Sequence, residues 1–271
     1  MRPGTCSSSV PAAANCFWLT FALALALYAP VAIAVLLIAP PSLGLRELTF
    51  LLGSGGLHLG YFLLLQRGYR TGDLSLVYPL ARGAGPAIAT AGAIVVFAER
   101  PSRLALLGGL LVLCGLVALS QPRRLVGRDG ARAGAAIYAL AAGSVIAAYT
   151  LWDAHAVAAV AIPPLLLEWA SNAVRTALLA PLAVPRRAAV GSIWREHRTE
   201  ALSVAVLSPL AYILVLTALV SAPVSAVAPT REVSIVIGTA MGAWLLGEAA
   251  AMRRFAAAAV IVVGVSAIAV G

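Results

Sequence analysis

The sequence predicts an all-α membrane protein, a polytopic bundle of about nine transmembrane helices that form two repeats of opposite orientation. Three observations lead to this prediction. The composition is too apolar for a soluble domain, because 62% of the 271 residues are hydrophobic, 11% are charged and the mean hydropathy is +0.97. In addition, the apolar runs are long, and the second half of the chain repeats a pattern of the first.

Run length indicates helices. A hydrocarbon core of roughly 30 Å takes about 20 helical residues, whereas barrel strands are about ten residues long and alternate polar with apolar side chains. The runs in this chain are apolar all round. We place the helices at residues 17–38, 48–66, 74–97, 104–120, 133–151, 163–183, 201–220, 224–246 and 255–270.

The predicted helices divide into two repeats. The polar segment 1–16 is expected to be flexible, the first repeat covers 17–120 with about four helices, and the second covers 133–271 with five. An odd number of spans makes successive repeats enter the bilayer from opposite sides, related by a pseudo-two-fold axis in the membrane plane. We expect the first repeat to lack its opening helix, either natively or because the gene start is placed too late.

Loop charge predicts the orientation. The chain has no lysine, and the arginines are scattered over short loops, which argues against nucleic-acid binding. Twelve loop arginines fall in one alternating set of loops and three in the other, so the first set is expected to be cytoplasmic, with the N-terminus inside and the C-terminus outside. The first set is Arg67, Arg70, Arg123, Arg124, Arg128, Arg132, Arg186, Arg187, Arg195, Arg198, Arg253 and Arg254, and the second is Arg46, Arg100 and Arg103.

Internal repetition relates particular residues of the two halves. Arg82 aligns with Arg231 at an offset of 149 residues, and upstream of the arginines the offset is 150. The same alignment pairs Ser75 with Ser225, Val77 with Val227, Pro79 with Pro229, Thr90 with Thr239, Glu99 with Glu248 and Gly115 with Gly264. Both halves therefore contain a proline, an arginine, an acidic turn and a glycine-bearing closing helix.

The matched arginines predict a polar centre. An arginine at the middle of a lone membrane helix costs about 2.5 to 3.5 kcal/mol, so both side chains should face protein or water. Each proline frees the carbonyl four residues earlier, which belongs to Ser75 or Ser225. One helix face of the first copy combines a kink, a phenol and a cation, through Ser75, Tyr78, Pro79, Arg82 and Pro86.

The second copy places Pro229, Thr230, Arg231 and Glu232 together, and Glu232 can neutralise Arg231. This chemistry suits an anionic or zwitterionic solute. Two alternatives stay open, because membrane prolines are common kinks and an arginine near a helix end can reach the interface. For Glu99 and Glu248 the expected role is structural, ending a helix and pairing across the interface.

A second polar cluster is predicted around residue 170. Glu168, Asn172 and Arg175 share one helix face, as a substrate site or as an internal ion pair. Tyr149 lines the cavity or belongs to an aromatic belt. His58 is expected to be a packing residue, and its spacing from Ser54 gives an intramembrane hydrolase only weak support, since the sequence shows no acid to orient the histidine.

The stretches "LSLVYPLARG...AIVVFAERPSRLALLGGLLVLCGLVAL" and "VSAVAPTREV...GAWLLGEAAAMRRFAAAAVIVVGVSAIAV" resemble the two EamA domains of the drug/metabolite transporter superfamily. In that family a proline-bearing helix ends in a Gly-Glu or Ala-Glu turn and is followed by a glycine-rich closing helix. The resemblance runs from about residue 48 to the end of the chain. It implies a secondary transporter of small metabolites, with ten helices and no ATPase part.

The expected function is secondary active transport of a small polar, amino-acid-like metabolite by alternating access, driven by a proton, another coupling ion or the substrate gradient. A lipid or lipid-linked sugar flippase is the alternative, and a hydrolase or a non-transporting scaffold is a remote one. We expect no enzyme activity, cofactor or metal, and a homodimer is left open. The bias towards alanine, glycine, arginine and proline suggests a GC-rich bacterial genome. We therefore expect a multi-pass protein of the bacterial inner membrane.

Overall fold

The structure is a computed structural model that describes residues 10–38, 44–71, 74–119, 130–234, 237 and 251–271. These residues are almost entirely helical and contain no strand, which confirms the all-α prediction. The elements are α1 (Val10–Ile38), α2 (Leu45–Thr71), α3 (Leu74–Val96), α4 (Arg103–Leu119), α5 (Gly130–Ala158), α6 (Pro164–Ala183), a 3-10 turn (Val184–Arg186), α7 (Arg187–Ser221), α8 (Val224–Thr230) and α9 (Ala251–Val270).

Each predicted span overlaps one of the described helices, and the ends of several helices differ from the prediction. The first helix already begins at Val10, so the expected flexible segment is helical over its last residues, and residues 1–9 lie outside the described part. Of the predicted span 224–246, the structure describes helix α8, the residues that follow it up to 234, and residue 237. Thr239 and Glu248, which the repeat alignment singles out, lie outside the described residues.

Local chemistry explains several helix ends. The Ser102 hydroxyl accepts the backbone N–H of Ala105 at 3.0 Å, which caps the first turn of α4. Pro164 opens α6, where its missing N–H costs nothing. Beyond α3 and α5 the chain turns through left-handed residues, Ala98 at φ 54° and Ala161 at φ 59°, a conformation that stops a helix.

The arginine-rich connection between the sixth and seventh predicted spans is helical, although the sequence analysis treats it as a loop. Helix α7 starts at Arg187 and is kinked at His197, where φ is −132° and ψ is 32°. Before the kink, Val190, Ile193 and Trp194 follow helical spacing and pack in one cluster with Leu19 of α1. The arginines of this segment stay exposed, so the loop expectation is corrected to an amphipathic helix.

Four of the described stretches are long enough and apolar enough to cross a membrane. These are Ala14–Ile38, Leu45–Thr71, Gly134–Ala158 and the combined α6 and α7 stretch Pro164–Ser221, and shorter apolar helices cover Leu80–Val96, Arg103–Ala118 and Ala256–Val270. Many large apolar side chains lie on the outside, such as Leu207 and Val95, which suits contact with lipid. The described helices are compatible with a membrane protein, and the number of nine spans stays a prediction.

The chain folds as two compact units, whose boundaries fall inside α2, inside α5 and before the last residue of α7. Unit 1 contains the described residues up to Leu59 together with Trp152–Val220, and unit 2 contains those of Gly60–Leu151 and Ser221–Gly271. Each unit therefore combines helices from both halves of the sequence. The predicted repeats 17–120 and 133–271 describe sequence likeness, whereas the compact units describe packing.

In unit 1, helices α1 and α6 pack antiparallel. The Trp169 indole donates a hydrogen bond to the Leu25 carbonyl at 2.9 Å, and one turn closer to the start of α1 the Arg175 guanidinium lies 4.8 Å from the Phe21 ring centre. Leu19 and Ala183 meet in the next layer. Each of these two helices is the fourth from the end of its predicted repeat, so they occupy equivalent positions.

In unit 2, helices α4 and α9 also pack antiparallel, and their glycines bring the backbones together. A methyl group on Gly108 would lie 2.5 Å from the Gly264 carbonyl oxygen, and one on Gly264 would lie 2.6 Å from the Gly108 oxygen. A methyl group on Gly115 would contact Ile261. In the same way, a methyl group on Gly264 would contact Val112. Under the offset of 149, Gly115 corresponds to Gly264 and Val112 to Ile261, so the contact repeats itself when the two helices are exchanged.

We predict that Gly108→Ala destabilises the protein by about 1 to 3 kcal/mol, because the new methyl group would push the α4 and α9 backbones apart. The adjacent Gly109→Ala is the matched control, since its methyl group would approach nothing closer than Pro229 Cγ at 4.0 Å. Thermal unfolding in detergent should separate the two variants. Equal melting temperatures would contradict the close approach.

Candidate functional site

The two repeat-matched arginines share one carboxylate in unit 2. Arg82 extends from α3, while Arg231 and Glu232 follow the last turn of α8. Arg82 Nε lies 3.2 Å from Glu232 Oε2, and Arg231 Nε lies 3.7 Å from Oε1 of the same residue. The structure therefore brings together two cations that are 149 residues apart in the sequence.

This cluster is buried and has an excess of positive charge. Glu232 has no exposed side-chain surface, whereas the Arg82 and Arg231 side chains keep 19% and 12% of theirs. One carboxylate faces two guanidinium groups, and both of its oxygens accept no hydrogen bond of good geometry. Each arginine attracts the carboxylate by charge, and each approaches a different oxygen of it.

Tyrosines surround Arg82 in the same unit. The guanidinium lies 5.8 Å from the centre of the Tyr78 ring, a cation–π distance. Tyr61 and Tyr69 both lie within electrostatic range of Arg82 and Tyr78, and Tyr61 packs against Tyr149 with ring centres 6.0 Å apart. A guanidinium group can bind the anionic group of a zwitterion while the face of a neighbouring aromatic ring contacts its ammonium group.

The other predicted residues of these helices have different surroundings. Pro86 and Pro229 are buried, Tyr78 is 38% exposed, and the Thr230 hydroxyl donates to the Ala226 carbonyl at 2.7 Å, turned back on its own helix. The structure thus does not aim Thr230 at the arginines. The side chains of Ser75 and Pro79 lie outside the described part of the structure.

Glu99 has a structural role, but its contact is the cap of another helix and not the expected pairing across the interface. Its carboxylate accepts the backbone N–H groups of Val224 at 2.7 Å and Ser225 at 2.9 Å, which are unpaired donors at the start of α8. The left-handed Ala98 immediately precedes it. The end of α3 therefore caps the helix that leads to Arg231.

In unit 1, the predicted face of α6 forms an internal ion pair. Arg175 Nη2 donates to both Glu168 oxygens at 2.9 Å, and the Asn172 amide donates to Glu168 Oε1 at 2.8 Å. Arg175 Nε donates to the Ser171 carbonyl at 3.1 Å. Glu168, Asn172 and Arg175 are all buried, so the geometry favours the ion-pair alternative, and contact with a substrate stays a prediction.

Tyr149 is 5% exposed and packs against Tyr61, which favours an internal position over the aromatic belt.

The sequence analysis missed a second polar group in unit 1. Asp153 is fully buried, accepts a hydrogen bond from the Tyr212 hydroxyl at 2.6 Å and lies 3.9 Å from His58 Nδ1. The available signal is an aspartate close to an apolar run.

The same cluster bears on the hydrolase alternative. An acid does lie beside His58, contrary to the sequence interpretation, but His58 Nδ1 faces the Ser54 carbonyl oxygen at 2.9 Å. The Ser54 hydroxyl has no exposed surface and lies 3.4 Å from the Ser171 hydroxyl. A nucleophile must reach its substrate, so this arrangement gives the alternative no support. Among the described residues no cluster has the donors of a metal site.

Unit 2 also contains a cavity of about 220 Å³ between α3, α4 and α8. Its lining is mostly apolar, with Pro86, Leu110 and Pro229 among the contributors, and Thr90 and Ser225 supply its hydroxyl groups. The two arginines do not line it. The cavity is below the usual range of about 300 to 1,000 Å³ for small-molecule sites.

We predict that the Glu168 and Arg175 pair shows strong coupling. Removing one partner leaves a buried charge, so Glu168→Gln or Arg175→Gln should each cost about 3 to 5 kcal/mol. The double replacement Glu168→Gln with Arg175→Gln should cost less than the sum of the two single changes. Unfolding in detergent tests this, with the exposed Glu200→Gln as control, and additive losses would contradict a coupled pair.

Comparison with known proteins shows the fold alone. No protein-family model matches the chain, and no curated protein matches it. A solved crystal structure, described only as that of a protein, superimposes with a TM-score of 0.75 at 16% sequence identity. The likeness covers 97% of this chain and 90% of the other. The same helical fold therefore occurs in an experimental structure, and the likeness assigns no activity.

Proposed function

We propose that the protein is a secondary active transporter that moves a small anionic or zwitterionic, amino-acid-like metabolite across the membrane by alternating access. The observation that carries the proposal is the buried cluster of Arg82, Arg231 and Glu232. Guanidinium groups in a membrane interior are costly, so their retention at matched positions of two repeats favours a functional reason. The resemblance to EamA transporters points in the same direction.

The cluster suggests how a solute is recognised. Glu232 is an internal anion that neutralises part of the charge of two arginines without forming well-aligned hydrogen bonds. A carboxylate or phosphate group of a solute offers the same charge and can bind a guanidinium group in bidentate geometry. Binding would then displace Glu232 from one arginine. The tyrosines near Arg82 would contact an amino group of the same solute.

Helix packing supports alternating access. Helices α1 and α6, α3 and α8, and α4 and α9 are neighbours within their units and are equivalent in the predicted repeats. The contacts of α1 with α6 and of α4 with α9 are antiparallel, as expected for inverted repeats of about nine spans in two EamA-like domains. In such proteins one repeat moves against the other around a central site. The inner membrane of a bacterium is the proposed location.

The test is uptake into proteoliposomes of labelled alanine, glutamate and O-phosphoethanolamine, with tyramine as a solute that has no anionic group. We predict that Arg82→Ala and Arg231→Ala each reduce uptake of the anionic or zwitterionic solute about 10- to 100-fold, because each removes a charge-assisted contact of about 1.5 to 3 kcal/mol. Arg46→Ala is the control, since Arg46 is exposed at the start of α2. Melting temperatures confirm that the variants are folded.

Unchanged uptake by both arginine variants, at equal amounts of folded protein, would remove these residues from the site.

The flippase alternative has one observation in its favour, the apolar lining of the cavity in unit 2. Movement of fluorescent lipid between leaflets, independent of Arg82 and Arg231, would favour that function over metabolite transport.

A further inference from the structure

Unit 1 contains a buried acid that the arginine site does not use. Asp153 lies near the end of α5, His58 lies on α2 and Tyr212 lies on α7, so three helices meet at one carboxylate. The His58 and Tyr212 rings also pack edge to face, with centres 5.0 Å apart. The three side chains form one contiguous cluster, which we call the Asp153 cluster.

The two oxygens of Asp153 have unequal surroundings. Oδ2 accepts the Tyr212 hydroxyl hydrogen at 2.6 Å and lies 3.9 Å from His58 Nδ1. Oδ1 is fully buried and has no hydrogen-bond partner of good geometry. An ionised carboxylate with one unsatisfied oxygen in a buried site is costly, and binding one proton removes the charge that causes the cost.

The charged groups around the cluster do not remove that cost. Glu168 and Arg175 of α6 act on Asp153 with opposite signs, and they are bonded to each other. The Ser54 hydroxyl of α2 faces Asp153 and is also near the Ser171 hydroxyl of α6. Among the described residues no arginine pairs with Asp153, and its one ion-pair contact is with His58, which is charged only when protonated.

We propose that Asp153, with His58 and Tyr212, is the proton-binding site that couples a proton gradient to transport, an inference that rests on the proposed function. The ionised carboxylate takes one proton from one aqueous phase and becomes a carboxylic acid, and it releases the same proton to the other phase. The ionised carboxylate only accepts hydrogen bonds, whereas the protonated form can also donate one. The hydrogen bond with Tyr212 of α7 and the charge contact with His58 of α2 then change, which favours a different arrangement of these helices.

The first experiment observes the proton directly, without any solute. Infrared difference spectra of the full-length protein between acidic and alkaline pH should show a carboxylic-acid C=O band that Asp153→Asn abolishes. Tyr212→Phe should shift the frequency of that band, because it removes the hydrogen bond to Oδ2. Glu200→Gln, at an exposed carboxylate, should leave the band unchanged. A band that is unaffected by Asp153→Asn, or that responds to sodium instead of pH, overturns the proposal.

The second experiment separates this proposal from the proposed function. In proteoliposomes with an imposed pH gradient, Asp153→Asn should lose proton-driven accumulation of the transported solute while exchange of that solute across the membrane continues. Accumulation that survives in Asp153→Asn overturns the proton site and leaves the transporter intact. A wild-type protein that shows the band of Asp153 but moves none of the tested solutes contradicts the proposed function and retains the proton site.

Discussion

The burial of Glu232 between two arginines is the constraint on which unit 2 depends. A carboxylate without exposed surface needs a counter-charge, and here the counter-charge comes from α3 as well as from its own helix end. Helix α3 must therefore stay within reach of the end of α8. Glu99 supports this arrangement, because it follows α3 and caps the first turn of α8. The polar residues thus determine where these helices lie.

Unit 1 contains two buried carboxylates, Glu168 and Asp153, which are stabilised in different ways. Glu168 is saturated by Arg175 and Asn172, each a helical turn or two away on α6, so that the charges belong to one rigid element. Asp153 depends on residues of two other helices, and only its Oδ2 accepts a hydrogen bond of good geometry. A satisfied local pair stabilises a fold, whereas an unsatisfied acid between helices can respond to a proton.

Helix packing gives the sequence repeat a physical meaning. The glycines of α4 and α9 allow backbone contact, and the contact of Gly115 with Ile261 corresponds to that of Gly264 with Val112. Such self-complementary contact is what two copies of one element form around a two-fold axis. Because the helices are antiparallel, the contact has the geometry expected of two repeats of opposite orientation, and the repeat architecture itself stays a prediction.

Run length predicted the apolar helices of this chain, because an apolar segment in lipid must satisfy its backbone internally, but it did not predict the first part of α7. The Glu168 and Arg175 pair was also predictable, since helical spacing places residues seven apart on one face. The apolar spacing of Val190 and Trp194 is equally visible in the sequence, although the segment is predicted to be a loop. Tertiary structure alone decided that Asp153 meets Tyr212 and that Glu99 meets Ser225, pairs separated by 59 and 126 residues. No local spacing records such contacts, because they arise only when separate helices pack.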